Sequence, residues 1–354
     1  MEDRKNENKA LATKISSDIV KVGNSLAVTN KLLHESKFEF RGDFKGNQIW
    51  KIDAHEMAVR KIILGETVEG VKCIISSSES GEIGFWNTED GSLIDRFKLD
   101  NDWITSLGQN KLNSWSFCAG KSGNLIKFVD LLEDGVRKQV VQAHGLIITN
   151  IALSNNCERL ATSSWDDTIK IWDPNSLNLL HSFKAHNLGV NDVLFLPDDK
   201  TIISCGKDEK IKIWNFEKSC QIAQLDGHTH WVQAVSHNKQ KNILASGSCD
   251  NTIKIWDIDK QVCLLTIDNE EWINDLVFSE DGNYLVANCY NGISKVFDTK
   301  TFQLICEYKE HSKVFPYHHS IKREATNWIY SVVFDENNKA IYTASVDGTI
   351  HKWN

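Results

Sequence analysis

Histidine, serine and aspartate recur together in this chain, in two sets that share one spacing. Each set ends with a tryptophan, and the two are His144, Ser164, Asp166 and Trp172, and His228, Ser248, Asp250 and Trp256. A histidine between a serine and an aspartate is the arrangement that activates the serine nucleophile of hydrolases. A catalytic nucleophile stands exposed at one pocket, whereas these sets repeat. We therefore interpret them as structural ties within repeated units and predict no catalytic residues.

The units that carry these sets repeat with a fixed period. Trp172, Trp214 and Trp256 follow one another at intervals of 42 residues. The stretch from 227 to 257 holds three short apolar runs separated by polar turns. Alternating apolar positions bounded by Asn, Asp and Gly turns predict strands rather than helices. In this unit we expect four strands, over 231–235, 243–248, 252–257 and 261–266.

A period of about 40–45 residues that opens with Gly-His and closes with Trp-Asp is typical of one blade of a β-propeller. The unit above opens with Gly227-His228 and closes with Trp256-Asp257, and the chain resembles the WD-repeat family. Weaker copies end at Trp86, Val129, Phe297 and Trp353, which makes seven units. The resemblance covers residues 46–354 and implies an all-β, seven-bladed propeller with four strands in each blade.

The last unit has only three strands before the chain ends at Asn354. An open sheet edge invites aggregation, and this family closes its ring with a strand from the start of the chain. Ile52 precedes His55 by three residues, as Phe183 precedes His186, so an outer strand fits at 48–52. We predict that this N-terminal strand completes the seventh blade.

The family also implies a role for the repeated sets. In it, the histidine that leads into a blade, a hydroxyl of the second strand, the aspartate of the next turn and the tryptophan of the third strand form a hydrogen-bonded tetrad. Such a tetrad is physically reasonable because a buried carboxylate needs a partner and a buried indole N–H needs an acceptor. The incomplete sets are His186, Gly206, Asp208 and Trp214 in the fourth blade, and His55, Ser78, Ser80 and Trp86 in the first.

A second pattern falls on three positions in each blade: three residues after the blade-leading position, two residues further on, and just before the turn aspartate position. In this family these positions tend to face the channel mouth, where partners usually bind. Three residues after the blade-leading position, four of the seven blades carry tryptophan. The predicted partner-binding residues are Arg60, Trp103, Trp165, Asn191, Trp231, Gln233, Trp272, Tyr290, Trp328 and Tyr330. Exposed aromatic patches usually mark interfaces, and Trp, Tyr and Arg are the commonest hot spots. Two alternatives stay open: the tryptophans plug the channel or pack under neighbouring loops, or they form a cage for a methylated lysine or choline-like cation.

Two regions lie outside the regular repeats. Residues 1–14 are polar and charged and are expected to be disordered, and 15–45 are expected to form a hairpin or a strand with a short helix. This extension either packs on the propeller or docks a partner. The insertion at 312–325, before the last blade, is locally basic and is expected to overhang the channel mouth.

The composition excludes several function classes. The formal net charge is −8, whereas nucleic-acid binders carry a basic footprint. No apolar run suits a membrane span and the charged start of the chain does not resemble a signal peptide, so we expect no membrane partner. The nine cysteines lack close pairs, which indicates reduced thiols in the cytoplasm or nucleus. Without a glycine-rich phosphate loop or paired cysteine ligands, we expect neither cofactor nor metal.

These observations predict a non-enzymatic scaffold or adaptor that binds other proteins. The partner is expected to be a peptide or protein segment on the top face, with acidic residues favoured by the basic insertion. The protein itself is expected to be a cytoplasmic, monomeric ring within a complex. The alternative is a structural or regulatory subunit of a larger assembly that is anchored through the N-terminal segment.

Overall fold

The computed structural model describes residues 46–67, 69–110, 115–129, 137–309, 328–336 and 339–354. Within these ranges the secondary structure consists of strands and turns, and no helix is long and apolar enough to cross a membrane. The tail at 1–14, the extension at 15–45 and the insertion at 312–325 lie outside the described residues. The roles predicted for them stay predictions.

The described residues form 28 strands in seven four-stranded antiparallel sheets, the blades. The first three blades are β2 (Val59–Glu66), β3 (Lys72–Ser78), β4 (Glu82–Asn87) and β5 (Leu93–Lys98); β6 (Ile104–Gln109), β7 (Ser116–Gly120), β8 (Asn124–Val129) and β9 (Arg137–Gln142); and β10 (Ile148–Leu153), β11 (Leu160–Ser164), β12 (Thr168–Trp172) and β13 (Leu179–Lys184).

Blades four to six continue the same order from the innermost to the outermost strand. They are β14 (Val190–Phe195), β15 (Thr201–Gly206), β16 (Ile211–Asn215) and β17 (Cys220–Leu225); β18 (Val232–Asn238), β19 (Ile243–Ser248), β20 (Thr252–Asp257) and β21 (Val262–Asp268); and β22 (Ile273–Phe278), β23 (Tyr284–Cys289), β24 (Ser294–Asp298) and β25 (Leu304–Tyr308). The seventh blade consists of β26 (Ile329–Asp335), β27 (Ala340–Ser345), β28 (Thr349–Trp353) and β1 (Gln48–Asp53).

The seventh blade closes the ring as predicted. Strand β1 pairs antiparallel with β28, and Ile52 lies opposite Ile350 in this ladder. Each innermost strand packs against the innermost strand of the next blade, and β26 packs against β2. The backbone groups of β28 are therefore paired on both sides, and the last blade has four strands like the other six.

The core lies between neighbouring blades. Between blades five and six, Ile253 and Ile255 of β20 pack with Ile273 and Leu276 of β22 and with Phe297 of β24. The second strands are buried on both faces because a blade has a neighbour on each side, whereas the outermost strands alternate exposed and half-buried positions. This explains why the second strands read as continuous runs of small and apolar residues.

The predicted strands of the fifth unit need only small adjustments. The ranges 243–248 and 252–257 coincide with β19 and β20. The innermost and outermost strands begin one residue later than predicted and end later too, at Asn238 instead of 235 and at Asp268 instead of 266. The prediction for the second blade was wrong by one residue. Phe128, and not Val129, lies opposite Ser116 as Trp172 lies opposite Leu160. A constant period does not predict Phe128, because the number of residues from this position to the matching one in the next blade differs from that between the later blades.

Candidate functional site

The repeated His-Asp-Trp sets form hydrogen-bonded tetrads, but through a different hydroxyl from the one predicted. In the third blade, Trp172 Nε1 donates to Thr162 Oγ1 at 2.9 Å, and this hydroxyl lies 2.7 Å from His144 Nε2. His144 Nδ1 lies 3.0 Å from Asp166 Oδ2. Because an indole N–H can only donate, the hydroxyl accepts it and turns its own proton towards Nε2, which leaves Nδ1–H for the carboxylate.

The fifth blade repeats this correction. Ser246 Oγ, and not the hydroxyl of Ser248, lies 2.7 Å from His228 Nε2 and accepts the Trp256 indole proton at 2.8 Å. His228 Nδ1 lies 2.7 Å from Asp250 Oδ2. Residues two apart on a strand face the same side, so the sequence pattern offers two candidates in each blade. Of these two hydroxyls, the one farther from the turn lies level with the indole of the third strand.

The two serines assigned to the tetrads have another role. Ser164 Oγ accepts the backbone N–H of Asp166 at 3.1 Å, and Ser248 Oγ accepts that of Asp250 at 3.0 Å. Both hydroxyls therefore hold the turn that presents the tetrad carboxylate. This is a local side chain to backbone bond of the kind that serine commonly makes in turns.

The same correction completes the fourth blade. Gly206 does not interrupt its tetrad, because Ser204 Oγ lies 2.8 Å from His186 Nε2 and accepts the Trp214 indole at 2.9 Å. In the first blade the hydroxyl belongs to Ser76 rather than to Ser78. There Glu82 supplies the carboxylate, 3.3 Å from His55 Nδ1, in place of the missing aspartate.

Burial sets the electrostatics of the tetrads. It lowers the pKa of His144 to about 4 although Asp166 opposes the shift, so this imidazole is neutral at neutral pH. Burial alone would raise the pKa of Asp208, but the hydrogen bond and charge of His186 and the charge of Lys212 lower it to about 2. The hydroxyls of Thr162 and Ser246 have no exposed surface. A substrate therefore has no access to them, and their geometry serves packing between blades.

The channel mouth is organised by one backbone hydrogen bond that recurs in every blade. In each, the residue after the second strand donates its N–H to the carbonyl of the residue just before the innermost strand, at 2.9–3.1 Å. The pairs are Glu79 with Ala58, Lys121 with Trp103, Trp165 with Ile147, Lys207 with Gly189, Cys249 with Trp231, Tyr290 with Trp272 and Val346 with Trp328. Both side chains of a pair therefore lie on the same end of the ring, which we call the top face.

Side chains from all seven blades make contact there in one arc. From the second blade through the first and seventh to the third, its members are Lys121, Trp103, Arg60, Tyr330, Trp328, Tyr290, Trp272, His230, Trp231, Lys207 and Trp165. The shortest ring contact joins Tyr290 and Trp328, with centroids 4.1 Å apart. The structure thus brings together eight of the ten predicted partner-binding residues.

At one end of this arc the side chains mainly contact one another, and we call it the closed sector: Arg60, Glu79, Trp103, Lys121 and Tyr330. The Arg60 guanidinium forms an ion pair with Glu79 and lies 4.9 Å from the Trp103 ring centre and 4.3 Å from that of Tyr330. Lys121 Nζ covers Trp103 at 3.8 Å. Both rings are half-buried, and burial raises the pKa of Tyr330.

The other end is open to solvent, and we call it the open sector: Trp165, Leu188, Lys207, Trp231 and Trp272. Its three indoles are 43%, 41% and 37% exposed, and Leu188 is 63% exposed. Lys207 Nζ lies 3.3 Å from the Trp165 ring centre and 4.9 Å from that of Trp231. An exposed aromatic group of this kind is unusual for a surface without a partner.

Asn191 and Gln233, the remaining two predicted residues, support the rings. Asn191 Nδ2 donates to the carbonyl of Val232 in the next blade at 2.9 Å, while its Oδ1 accepts the Trp165 indole proton at 3.3 Å. Gln233 Nε2 donates to Cys249 Sγ at 3.1 Å. Asn191 therefore connects two blades and fixes the orientation of Trp165.

Three members of the arc were absent from the predicted set. Lys121 was missed because the second blade was counted one residue out of register. Lys207 follows the second strand of the fourth blade, as Trp165 does in the third, and His230 is the residue beside Trp231, stacked on Trp272 with centroids 6.1 Å apart. Among the described residues, no group of three or more His, Cys, Asp and Glu side chains is placed to hold a metal ion.

Comparison with known proteins agrees with the blade pattern. The family model described as WD domain, G-beta repeat, matches residues 135–173, 177–215, 219–257, 261–298 and 309–354, which is more than half of the chain. Apoptotic protease-activating factor 1 of Rattus norvegicus is 29% identical over 135 residues, or 38% of this chain. The matched region spans only 10% of that relative's length.

Proposed function

The chain belongs to the WD-repeat family, and from this premise we propose that it is a non-enzymatic scaffold whose open sector binds a peptide or protein segment. Propellers of this family are generally scaffolds for protein interactions. We place the partner on the top face, across Trp165, Trp231 and Trp272 at the channel mouth.

The exposure of these three indoles carries the proposal. They stand together on one side of the mouth, each more than a third exposed, on a ring whose other tryptophans are mostly buried. Burying an aromatic side chain gains free energy in proportion to the apolar area removed from water. A partner that covers these rings therefore gains more here than elsewhere on the top face.

The arrangement argues against the two alternatives. Rings that plug a channel lie inside it and are buried, whereas these are open to solvent. A cage for a methylated lysine needs an empty place between ring faces, but Lys207 and Arg60 already occupy those places in the two sectors. A bound cation would have to displace one of these side chains and meet like charge.

The absence of catalysis is also part of the proposal, and it rests on the tetrads. Their His-hydroxyl-Asp groups resemble a hydrolase site only in composition, because the hydroxyls of Thr162, Ser204 and Ser246 are fully buried. We also propose a cytoplasmic, monomeric ring within a complex. All nine cysteines are free thiols, which suits a reducing compartment.

The test replaces single rings of the open sector. The full chain identifies its partner by co-purification from the native cell, and titration then measures the affinity of each variant. Trp231→Ala and Trp272→Ala should fold normally and bind at least about tenfold more weakly, since truncating a hot spot costs about 2 kcal/mol and 1.4 kcal/mol is tenfold.

The matched control is Leu304→Ala, which removes an exposed apolar side chain from the outermost strand of the sixth blade. It should leave both stability and affinity unchanged. Variants of Trp231 and Trp272 that bind as tightly as the parent would place the interface elsewhere. Variants that unfold would show that these rings are structural.

A further inference from the structure

We propose that the segment bound by the open sector carries a carboxylate that pairs with Lys207 and, beside it, a large apolar side chain that packs on the exposed indoles of Trp165 and Trp231. This inference rests on the proposed function and specifies the chemistry of its ligand. The predicted preference for acidic segments relied on the insertion at 312–325, whereas the present inference relies on described residues alone.

Lys207 is a cation that has no ion-pair partner among the described residues. Three other lysines near it each have an aspartate partner: Lys184 with Asp167, Lys210 with Asp226 and Lys212 with Asp208. Within the described residues, no carboxylate lies within ion-pair distance of Lys207, whose ammonium rests against two indole faces. Its partial burial lowers the pKa of Lys207. A carboxylate brought by a partner would restore the missing interaction.

The closed sector shows what such a pairing looks like when it is internal. There the cation between two rings is Arg60, and Glu79 of the same blade neutralises it. In the fourth blade Lys207 itself stands at the position that Glu79 holds in the first. The open sector therefore has the rings and the cation of the closed sector but lacks its carboxylate.

Beside Lys207, the fourth blade has glycine at the position where four other blades have tryptophan. Gly189 has a φ of +93°, which glycine adopts readily and other residues rarely do. A Cβ at this position would lie 3.3 Å from Trp165 Cα and 3.4 Å from its Cδ1. Gly189 therefore packs directly against Trp165, whose side chain stays exposed to solvent, as does Leu188.

A carboxylate fits this site better than either a phosphate or a cation. A phosphate carries close to two charges and favours several donors, whereas Lys207 is the one unpaired cation of the open sector in the described part of the chain. A partner cation would be repelled, because Lys207 already lies between the rings.

The test selects ligands with the full-length chain from a phage-displayed library of random dodecapeptides. The parent should enrich Asp or Glu next to Leu, Ile, Phe or Trp. Lys207→Gln should keep the apolar preference and lose the acidic one, while Trp231→Ala should lose both. Lys218→Gln removes the same charge from a turn on the opposite face and should select the same sequences as the parent.

A synthetic copy of one selected peptide then allows a double-mutant cycle. Replacing its acidic residue by the amide should weaken binding to the parent about tenfold and change binding to Lys207→Gln less than about twofold. A peptide with alanine at its apolar position should also bind the parent more weakly, because it covers less of the exposed indoles.

The outcomes separate this inference from the function on which it rests. Peptides that depend on Trp231 but show no acidic preference, or whose preference survives Lys207→Gln, overturn the carboxylate site and leave the binding face in place. A phosphoserine version that binds more than tenfold tighter than the aspartate version also overturns it. A selection without any peptide that depends on Trp231 overturns both.

Discussion

Blade five contains two tryptophans in opposite environments. Trp256 is 1% exposed and donates its indole proton to Ser246 inside the ring, whereas Trp231 is 41% exposed at the channel mouth, against His230 and Lys207. The residue type is the same, so its position in the blade decides its role. A third-strand tryptophan is enclosed by the neighbouring blades, while one beside the innermost strand projects beyond them.

The same contrast extends around the ring. Five third-strand tryptophans each donate to a second-strand hydroxyl at 2.8–2.9 Å: Trp86, Trp172, Trp214, Trp256 and Trp353. In the second and sixth blades this position is Phe128 or Phe297, and the residue at the hydroxyl position is Cys118 or Ala287. The indole and its acceptor are thus lost together, which avoids an unsatisfied polar group in the core.

The sharpest test of this contrast is Trp256→Ala. It should lower the free energy of unfolding by roughly 3–5 kcal/mol, because it leaves a cavity between blades and removes the hydrogen bond to Ser246. Trp231→Ala, its counterpart in the same blade, should change stability by less than about 0.5 kcal/mol. Denaturant unfolding of both variants measures this difference. If Trp256→Ala kept its stability and lost only partner binding, the structural role of the tetrad would be wrong.

The buried histidines give the next largest effect, and it depends on pH. Burial lowers the pKa of His144 to about 4 from an unfolded value near 6.5. Between these values the unfolded chain binds a proton that the folded protein does not, so the free energy of unfolding falls as the pH falls. This one histidine contributes at most on the order of 3 kcal/mol over the window, since one unit is 1.36 kcal/mol.

The measurement compares stability at several pH values between 7 and 4 for the parent, His144→Gln and His230→Gln. The parent and His230→Gln, which alters an exposed side chain, should lose stability together as the pH falls. His144→Gln should start less stable and show a shallower decline. An unchanged slope in that variant would mean that His144 does not remain neutral in the fold.

The sequence predicted the architecture well because period and turn chemistry repeat along the chain. Seven blades, the strand order and the closing strand β1 all follow from features that recur. Recurring features do not predict how deep a side chain lies within a blade. Thr162 and Ser164 share one face of β11, and only packing decides which hydroxyl meets the indole. Register also fails locally, as with Phe128, where one blade departs from the common spacing.

The candidate site was predicted in part, for a related reason. Alignment of the blades found the tryptophan positions, since these are local features of each repeat. It did not show that Arg60 is paired with Glu79, nor that Lys207 has no such carboxylate among the described residues, because these contacts join side chains across turns and between blades. The difference between the closed and open sectors is therefore a property of the assembled ring.

Trp103 lies between the two extremes and gives the smallest expected effect. It occupies the same blade position as Trp231 but is half-buried beneath Lys121 and Arg60. Removing its ring takes away two cation contacts and some packing, so Trp103→Ala should cost about 1–2 kcal/mol of stability. Partner affinity should fall by less than about threefold, because the closed sector lies outside the proposed interface.

Denaturant unfolding and binding titration of Trp103→Ala beside Trp231→Ala measure the change in stability and the change in affinity. The reverse result, a stable Trp103→Ala protein that binds as weakly as Trp231→Ala, would mean that the partner opens the Arg60 pair and covers the whole arc.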